Sequence, residues 1–418
     1  MIIGPVYWQT NDPVLAWQVG LAACLIGGLI EILGAFIGKK LIKIIPRAAL
    51  LGNLAAGAMI WLSLVGLLNI FDKPWMAIVP LFITLIAYFG KWKTPYNLSP
   101  GLLAIIAGTI LAWSMGSMDG QAVVDALKDL KINTPVFSGR DVFLGLKNIV
   151  DYLPIVIPLQ LANFLTTLQG LESAAVAGDK YPVKTSMTMD GVGTIIGSFF
   201  GNPFPTTVYY GHPSWKELGA RAGYSVFNGI TYLLVGLTGT VGVLSALIPF
   251  QVVMPILVFV GFSMSVQTFS ESPRKHIGGI MLAFIPLIAQ YLETGVNAAL
   301  TAVDTDLATV GLEAFGKASF PIKGVLALSQ GAFLSSLLLA ALLVSITDKK
   351  FVHAAGYSLA LSFSSAVGLI HSPQVTWLAP ESLPFVVMYL VMGVISITYY
   401  LKSIKGVQTG DANQFSEV

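Results

Sequence analysis

Apolar runs follow one another along most of the chain. A transmembrane helix needs about 20 mostly apolar residues. Runs near this length lie at 14–37, 48–70, 75–90, 98–116, 142–170, 187–201, 222–246, 250–270, 276–292, 324–346, 352–371 and 383–401. The stretches 117–140 and 293–320 are more polar, and we expect loops there. The pattern predicts an all-α polytopic membrane protein with about 12–13 transmembrane segments, one of them discontinuous.

The segment 201–213, GNPFPTTVYYGHP, interrupts this pattern. Pro203 and Pro205 fix φ and remove two backbone donors, and residues 206–210 are of types that favour an extended strand. Extended backbone at membrane depth is tolerated only where it lines a cavity. Broken elements of this kind mark substrate sites in transporters, so the segment predicts a binding site.

A short half-helix is predicted to follow this segment. Residues 214–217, SWKE, have the form of a capping box, so the helix should begin at about Trp215. The positive end of its dipole would attract an anion or a carbonyl oxygen. His212 is either a protonatable group facing the solute or a loop histidine held by a backbone carbonyl.

Composition agrees with a membrane protein. Charged residues make up 11% of the chain, against about 25% in soluble proteins, and the mean hydropathy is +0.78. The net charge of +2 is too small to indicate nucleic-acid binding. Metal-ligand spacings, phosphate-binding loops and nucleophile motifs are absent from the sequence. We therefore do not expect an enzyme or a cofactor. The expected partners are a small solute and the lipid bilayer.

Basic residues set the expected orientation. If the first run ends inside at Lys39, Lys40 and Lys43, alternation puts most of the 23 lysines and arginines inside. The chain would then be a multi-pass protein of the cell (inner or plasma) membrane with a cytoplasmic C-terminus. We expect residues 1–405 to form a single integral membrane transporter domain with interleaved core and gate parts, and residues 406–418 to be a disordered cytoplasmic tail.

Two regions of the sequence are similar to each other. Each has a glycine-rich run, an Ile-Pro pair (at Pro46 and Pro249) and a second apolar run. The regions are an odd number of crossings apart, so their orientations should be opposite. Inverted repeats that meet at discontinuous elements are the plan of many secondary transporters. Chance similarity of glycine- and leucine-rich runs is the alternative.

Residues 163–221 resemble the xanthine/uracil permease family of nucleobase–cation symporters. The matching motifs are GVGTIIGSFFGN at 191–202, PTTVY at 205–209 and GARAG at 219–223. The resemblance implies a uracil-permease-like fold of fourteen spans in two inverted sets, nucleobase transport by alternating access, and allows a homodimer. Sulfate permeases share this fold, so the fold alone does not name the solute.

The chain departs from the family in three respects. Its opening run resembles the fourth family span, so the first three spans, with the partner strand, lack a counterpart and the N-terminal repeat is incomplete. Two spans after residue 350 exceed the family pattern. The two glutamates through which the family couples protons fall at or next to Asn163 and on Gly211, and neither position carries a carboxylate.

The predicted solute site combines the family motif with a polar helix face. Asn163 and Thr167 are i and i+4 on one face, and an uncharged amide can pair with a nucleobase edge. Hydrogen bonding between helices is the other explanation for this face. Side chains along the segment should alternate, with Thr206 and Tyr210 towards the solute. The full predicted set is Asn163, Thr167, Pro205, Thr206, Thr207, Tyr210, Gly211 and His212.

Acidic residues within apolar runs are candidates for ion coupling. Glu172 is the leading candidate and Asp190 is another. The protonatable His212 is the third candidate, and the ion would be H⁺ or Na⁺. Asp190 and Glu31 also have structural explanations. Asp190 lies at the start of a helix, where an acid interacts favourably with the helix dipole, and the Glu31 side chain would reach the membrane interface.

The sequence thus predicts a secondary transporter for a small, planar, polar solute, with a nucleobase such as xanthine or uracil as the main expectation. A transporter of inorganic or organic anions, of the sulfate-permease type, is one alternative. A non-transporting or truncated membrane protein is the other.

Overall fold

The computed structural model describes residues 2–95, 98–221 and 223–408. The chain is 78% helix, and no β-strand occurs within these ranges. The prediction of an all-helical chain with several apolar helices is therefore confirmed, and the fold is compatible with an all-α membrane protein. Of the predicted tail, residues 406–408 continue the last helix, and residues 409–418 lie outside the described residues.

The helices are numbered in chain order. The first ten are α1 (Ile3–Thr10), α2 (Pro13–Ile44), α3 (Arg47–Asp72), α4 (Pro74–Phe89), α5 (Pro100–Ser114), α6 (Gly120–Lys128), α7 (Gly139–Asn148), α8 (Leu153–Val176), α9 (Val183–Phe199) and α10 (His212–Glu217). The later ones are α11 (Gly223–Thr238), α12 (Thr240–Leu247), α13 (Phe250–Glu271), α14 (Ile277–Thr301), α15 (Leu307–Val310), α16 (Leu312–Lys317), α17 (Ile322–Ser329), α18 (Ala332–Thr347), α19 (Phe351–Ala366) and α20 (Leu383–Gln408).

Within the described residues, five helices are long and apolar enough to cross a membrane, and up to eight spans result if each bent pair counts as one. The five are α2, α3, α13, α14 with the turn before it, and α20. The bent pairs are α7 with α8, α11 with α12 (100°) and α17 with α18 (86°). This count is below the predicted 12–13, because α4, α5, α9 and α19 are each shorter than 18 residues.

The predicted runs agree with the helices except where glycine or a turn breaks them. The run 142–170 contains the end of α7, a 3₁₀ turn at Ile149–Tyr152 and much of α8. The run 222–246 breaks at Gly239 (φ +69°), and the run 324–346 breaks at Gly331 (φ +68°). The predicted loops are partly wrong, because α6 lies in the first and α14 extends into the second.

The described chain divides into two compact units, each made of separate pieces of sequence. Unit 1 comprises Met1–Ala56, Ser138–Tyr210 and Thr268–Val418, and unit 2 comprises Gly57–Phe137 and Gly211–Gln267. In unit 1, α2 packs against α1, α7, α8 and α9, while α14 packs against α17 and α18, and α19 against α18 and α20. In unit 2, α4 packs on α5 and α6 on α12, with a core at Ile70, Ala77, Leu81, Met254 and Val258.

Helix α2 is the central element of unit 1. It starts at the cap residue Asp12, whose side chain accepts from the N–H groups of Val14 and Leu15. Pro13 occupies the first helical position, where its missing N–H costs nothing. The helix is 32 residues long, which is ample to span a membrane at 1.5 Å per residue.

Glycine lets α2 and α9 approach closely. A Cβ atom on Gly28 would lie 2.7 Å from the Gly191 carbonyl oxygen and 2.6 Å from Ile195, and a Cβ on Gly191 would lie 2.6 Å from the Gly28 oxygen. Real Cβ atoms do not come so near to other atoms, so the two backbones could not pack this way with larger residues. Glu31 and Asp190 lie within one turn of this contact.

Asp348, in the turn between α18 and α19, makes ionic contacts with three basic side chains. Asp348 Oδ1 lies 2.6 Å from Lys275 Nζ and 2.7 Å from His276 Nε2, and its Oδ2 lies 3.4 Å from Lys350 Nζ. The hydrogen bond from His276, followed by that from Lys275, holds the pKa of Asp348 well below its usual range. Asp348 therefore ties the start of α14 to the turn between the two helices.

We expect Gly28→Ala to destabilise the protein by about 1–3 kcal/mol, because the added methyl group overpacks the contact between α2 and α9. Thermal unfolding in detergent measures the effect. The control is Gly229→Ala on α11, where a Cβ meets no heavy atom within 4 Å and alanine favours the helix. Equal melting temperatures for the two variants would contradict the packing account.

Candidate functional site

Residues 202–209, between α9 and α10, have no regular secondary structure. The chain leaves α9 through Gly201, whose φ of +87° favours glycine. The Asn202 side chain then forms a turn, since its Oδ1 accepts from the Phe204 N–H and its Nδ2 donates to the Phe204 carbonyl, each at 3.0 Å. The chain is therefore not helical at these residues. The predicted strand is not formed, because the segment has no partner strand within the described residues.

Thr206 fixes the middle of this segment to α9. Its N–H donates to Thr194 Oγ1 at 2.9 Å, and its hydroxyl donates to the Asp190 backbone carbonyl at 2.9 Å. The Thr194 and Thr206 hydroxyl oxygens are 2.7 Å apart. Because the Thr206 hydrogen is directed to Asp190, Thr194 is the donor of this pair.

Asn163 of α8 connects the segment to α2. Its Nδ2 donates to the Thr206 carbonyl at 3.1 Å and to Glu31 Oε1 at 3.3 Å. A single primary amide can make both bonds because it carries two hydrogens. Asn163 thus joins backbone that is not helical to a carboxyl group of α2.

The Thr167 hydroxyl group lies between three other polar side chains. Its Oγ1 is 2.9 Å from Glu31 Oε1, 3.2 Å from Asp190 Oδ2 and 3.0 Å from Thr207 Oγ1. Glu31 and Thr167 have no solvent-exposed surface. We call the connected set the polar cluster; it comprises Glu31, Asn163, Thr167, Asp190, Thr194, Thr206 and Thr207.

Five members of the polar cluster are predicted from the sequence, and two are not. Glu31 is expected to reach the membrane interface, yet it is fully buried at the cluster. The signal for it is that Glu31 is the only charged residue between 14 and 38. Thr194 gives no such signal. The expected alternation is also wrong, because adjacent Thr206 and Thr207 both reach the cluster along an irregular backbone.

Glu172, the leading predicted coupling residue, has a different partner. Its Oε1 lies 2.5 Å from Arg47 Nε, at the start of α3, and its side chain is 9% exposed. The ion pair satisfies the buried carboxylate without any contribution from the polar cluster.

Gly211 and His212 belong to unit 2, whereas the polar cluster belongs to unit 1. The predicted capping box is wrong: α10 starts at His212 with Gly211 as its cap residue, and Ser214 lies inside the helix. Pro213 suits this earlier start, because proline is favoured in a first turn. His212 Nδ1 lies 2.9 Å from the Tyr224 hydroxyl, and the two rings stack at 6.0 Å.

The other predicted residues lie along the segment. Pro205 is half-buried and directly precedes Thr206. The Tyr210 ring is half-buried and stacks on Tyr209, with centroids 6.1 Å apart. Tyr209 is 43% exposed, so this pair forms an aromatic surface at the end of the segment.

A cleft in unit 1 adjoins α8 directly before Asn163. Its volume is about 420 Å³ including space open to solvent, and its lining is mostly apolar. The residues that line it include Leu161 and Ala162 of α8, Gln290 of α14, and Phe333 at the start of α18.

These features agree with one class of protein. An all-helical chain, with several helices apolar and long enough to cross a membrane, is compatible with a membrane-embedded protein of the all-α class. No protein-family model matches the chain, and no curated protein matches it in sequence.

We expect Thr167→Val to lower the free energy of unfolding by about 1–3 kcal/mol, because it leaves buried oxygens of the cluster without a hydroxyl partner. Thr166→Val is the matched control, since among the described residues the Thr166 hydroxyl bonds only to the Ala162 carbonyl of its own helix. Thermal unfolding of both variants distinguishes them. A similar loss in both would mean that the cluster makes no special contribution.

Proposed function

We propose that the chain is a secondary transporter that carries a small, planar, polar solute across the cell membrane by alternating access. The observation that carries this proposal is the polar cluster itself. An amide, four hydroxyl groups and two carboxyl groups meet at non-helical backbone within an apolar helical protein. Polar groups inside a membrane are costly and are found where solutes or ions pass, and non-helical backbone there borders a cavity.

The chemistry of the cluster favours a nucleobase, such as xanthine or uracil, as the solute. Both amide hydrogens of Asn163 are directed to Glu31 and Thr206, which leaves its carbonyl oxygen to accept from a ring N–H. The backbone groups of Thr207 and Val208 form no backbone hydrogen bond within the described residues. A planar base offers donors and acceptors in one plane for such groups, and Tyr210 offers a ring for stacking.

The order of helices and units supports an inverted repeat. The Ile-Pro pairs at Pro46 and Pro249 directly precede the long helices α3 and α13. Helix α3 starts in unit 1 and ends in unit 2, whereas α13 starts in unit 2 and ends in unit 1. This reversal is what opposite orientations require, and two interleaved units suit alternating access. The helices before the two Ile-Pro pairs differ: α2, before Pro46, is continuous, whereas α11 and α12, before Pro249, form a bent pair.

The anion-transporter alternative has less support. It depends on a half-helix terminus beside His212 and on the loss of the family's carboxylates. Helix α10 has six residues, and Glu31 and Asp190 bring two carboxyl groups to the cluster. Carboxylates disfavour an anionic solute through like-charge repulsion.

Uptake into proteoliposomes tests the proposal. We expect the wild type to take up at least one radiolabelled nucleobase, and other bases but not sulfate to compete. Asn163→Ala should abolish this uptake because it removes the amide that contacts both Glu31 and Thr206.

The matched control is Asn148→Ala, since in the part of the chain that the structure describes the Asn148 amide bonds only to the Leu144 carbonyl of its own helix. Uptake of sulfate alone would favour the anion transporter. A well-folded wild type that moves none of the solutes would favour the non-transporting alternative.

A further inference from the structure

The hydrogen bonds of Thr167 require a proton that no hydroxyl group supplies. A threonine hydroxyl has one hydrogen to donate and two lone pairs that accept. Thr167 has three oxygen partners: Glu31 Oε1, Asp190 Oδ2 and Thr207 Oγ1. If it donates to one carboxyl group, its contact with the other needs a hydrogen from that other group.

If each of the three contacts is a separate two-centre hydrogen bond, counting donors requires at least one protonated carboxyl group. When Thr167 donates to Glu31, Asp190 must donate to Thr167 and Thr207 supplies the third bond. When Thr167 donates to Asp190, the two carboxyl groups exchange roles. When Thr167 donates to Thr207, both carboxyl groups must donate. With both ionised, a carboxylate oxygen and the Thr167 oxygen would face each other without a hydrogen between them.

The second oxygen of Glu31 gives an independent indication. Glu31 is 0% exposed, and its Oε2 is buried without a hydrogen-bond partner among the described residues. An ionised carboxylate with one bare oxygen in an apolar surrounding is much more costly than a neutral carboxyl group. The neutral form of Glu31 is therefore favoured, with its hydrogen on Oε1, which faces Thr167.

No positive side chain among the described residues pairs with either carboxyl group. Helices α1, α7, α8 and α9 and the turn 149–152 pack against α2. Lys184 of α9 lies over the Phe36 ring, Glu172 of α8 pairs with Arg47, and Asp141 of α7 accepts from Gln18. The other charged residues of these elements, Arg140, Lys147 and Asp151, make no ion pair with Glu31 or Asp190. Only a bound cation can then neutralise the pair.

We propose that Glu31 and Asp190 hold one shared proton through the Thr167 hydroxyl group, and that this pair is the proton-coupling site of the transporter. Two carboxyl groups in one site commonly share a proton in this way. The coupling role rests on the proposed function, whereas the shared proton stands on the cluster geometry alone.

Asn163 connects this proton to the solute. Its amide donates both to Glu31 Oε1 and to the Thr206 carbonyl. A solute that engages Asn163 or moves the segment at Thr206 changes the donors around Glu31, and with them the cost of ionising the pair. One proton moving with each neutral solute would support an about tenfold accumulation per pH unit of gradient.

Infrared spectroscopy of the purified protein tests the shared proton without any solute. We expect the wild type at neutral pH to show the C=O stretching band of a buried protonated carboxyl group. Glu31→Gln should remove it, because Asp190 then receives the Thr167 hydrogen and needs no proton, whereas Asp190→Asn should shift it, because the unpartnered Oε2 keeps Glu31 neutral. The control Glu172→Gln should keep the band, since Glu172 is paired with Arg47. A wild type without the band, or a band that survives in both cluster variants, would overturn the shared proton.

Transport tests the coupling role. In proteoliposomes with a pH gradient, the wild type should accumulate a nucleobase, whereas Glu31→Gln should lose accumulation and retain exchange of external for internal base. Accumulation that persists in Glu31→Gln, or that depends on Na⁺ instead of pH, would overturn the coupling role. A wild type that transports no solute would refute the proposed function, and with it the coupling role, while the infrared result still decides the shared proton.

Discussion

The contact between helices α2 and α9 is the constraint on which the polar cluster depends. Because Gly28 and Gly191 lack side chains, the two backbones meet at a distance that no larger residue permits. Glu31 and Asp190 lie within one turn of that contact, and both reach the hydroxyl group of Thr167. In an apolar surrounding, buried polar groups must find partners inside the protein, so close packing and the polar network require each other.

The non-helical segment completes the network from its other side. Pro203 and Pro205 keep these residues from joining α9 to α10 as one helix. Thr206 then uses its N–H, its hydroxyl and its carbonyl to bind Thr194, Asp190 and Asn163. Backbone that would be unsatisfied in a membrane is thereby held by side chains of two helices. Asn163 joins this backbone directly to Glu31, and Asp190 is connected to Glu31 through the Thr167 hydroxyl group.

Much of this arrangement can be predicted from the sequence, and the remainder depends on tertiary packing. Hydropathy locates most helices, and the prolines locate the break, because both effects are local. The bends at Gly239 and Gly331 are not predicted, because a glycine within an apolar run breaks a helix only in some contexts. The start of α10 is predicted too late because SWKE fits a capping box, whereas Gly211 caps the helix earlier.

Glu31 is assigned to the interface because sequence position shows depth along a helix but not which neighbours the side chain meets. Glu172 is preferred to it because the sequence does not reveal its pairing with Arg47.

In the proposed function, these elements join in one site, where a nucleobase would meet Asn163 and the segment at Thr206, and a proton would be held beside it. Equilibrium binding of radiolabelled nucleobases to the purified protein tests this claim most directly. We predict saturable binding of at least one base to the wild type and to Asn148→Ala, and its loss in Asn163→Ala. Binding that is equal in all three proteins, or that is absent from a folded wild type, would contradict the claim.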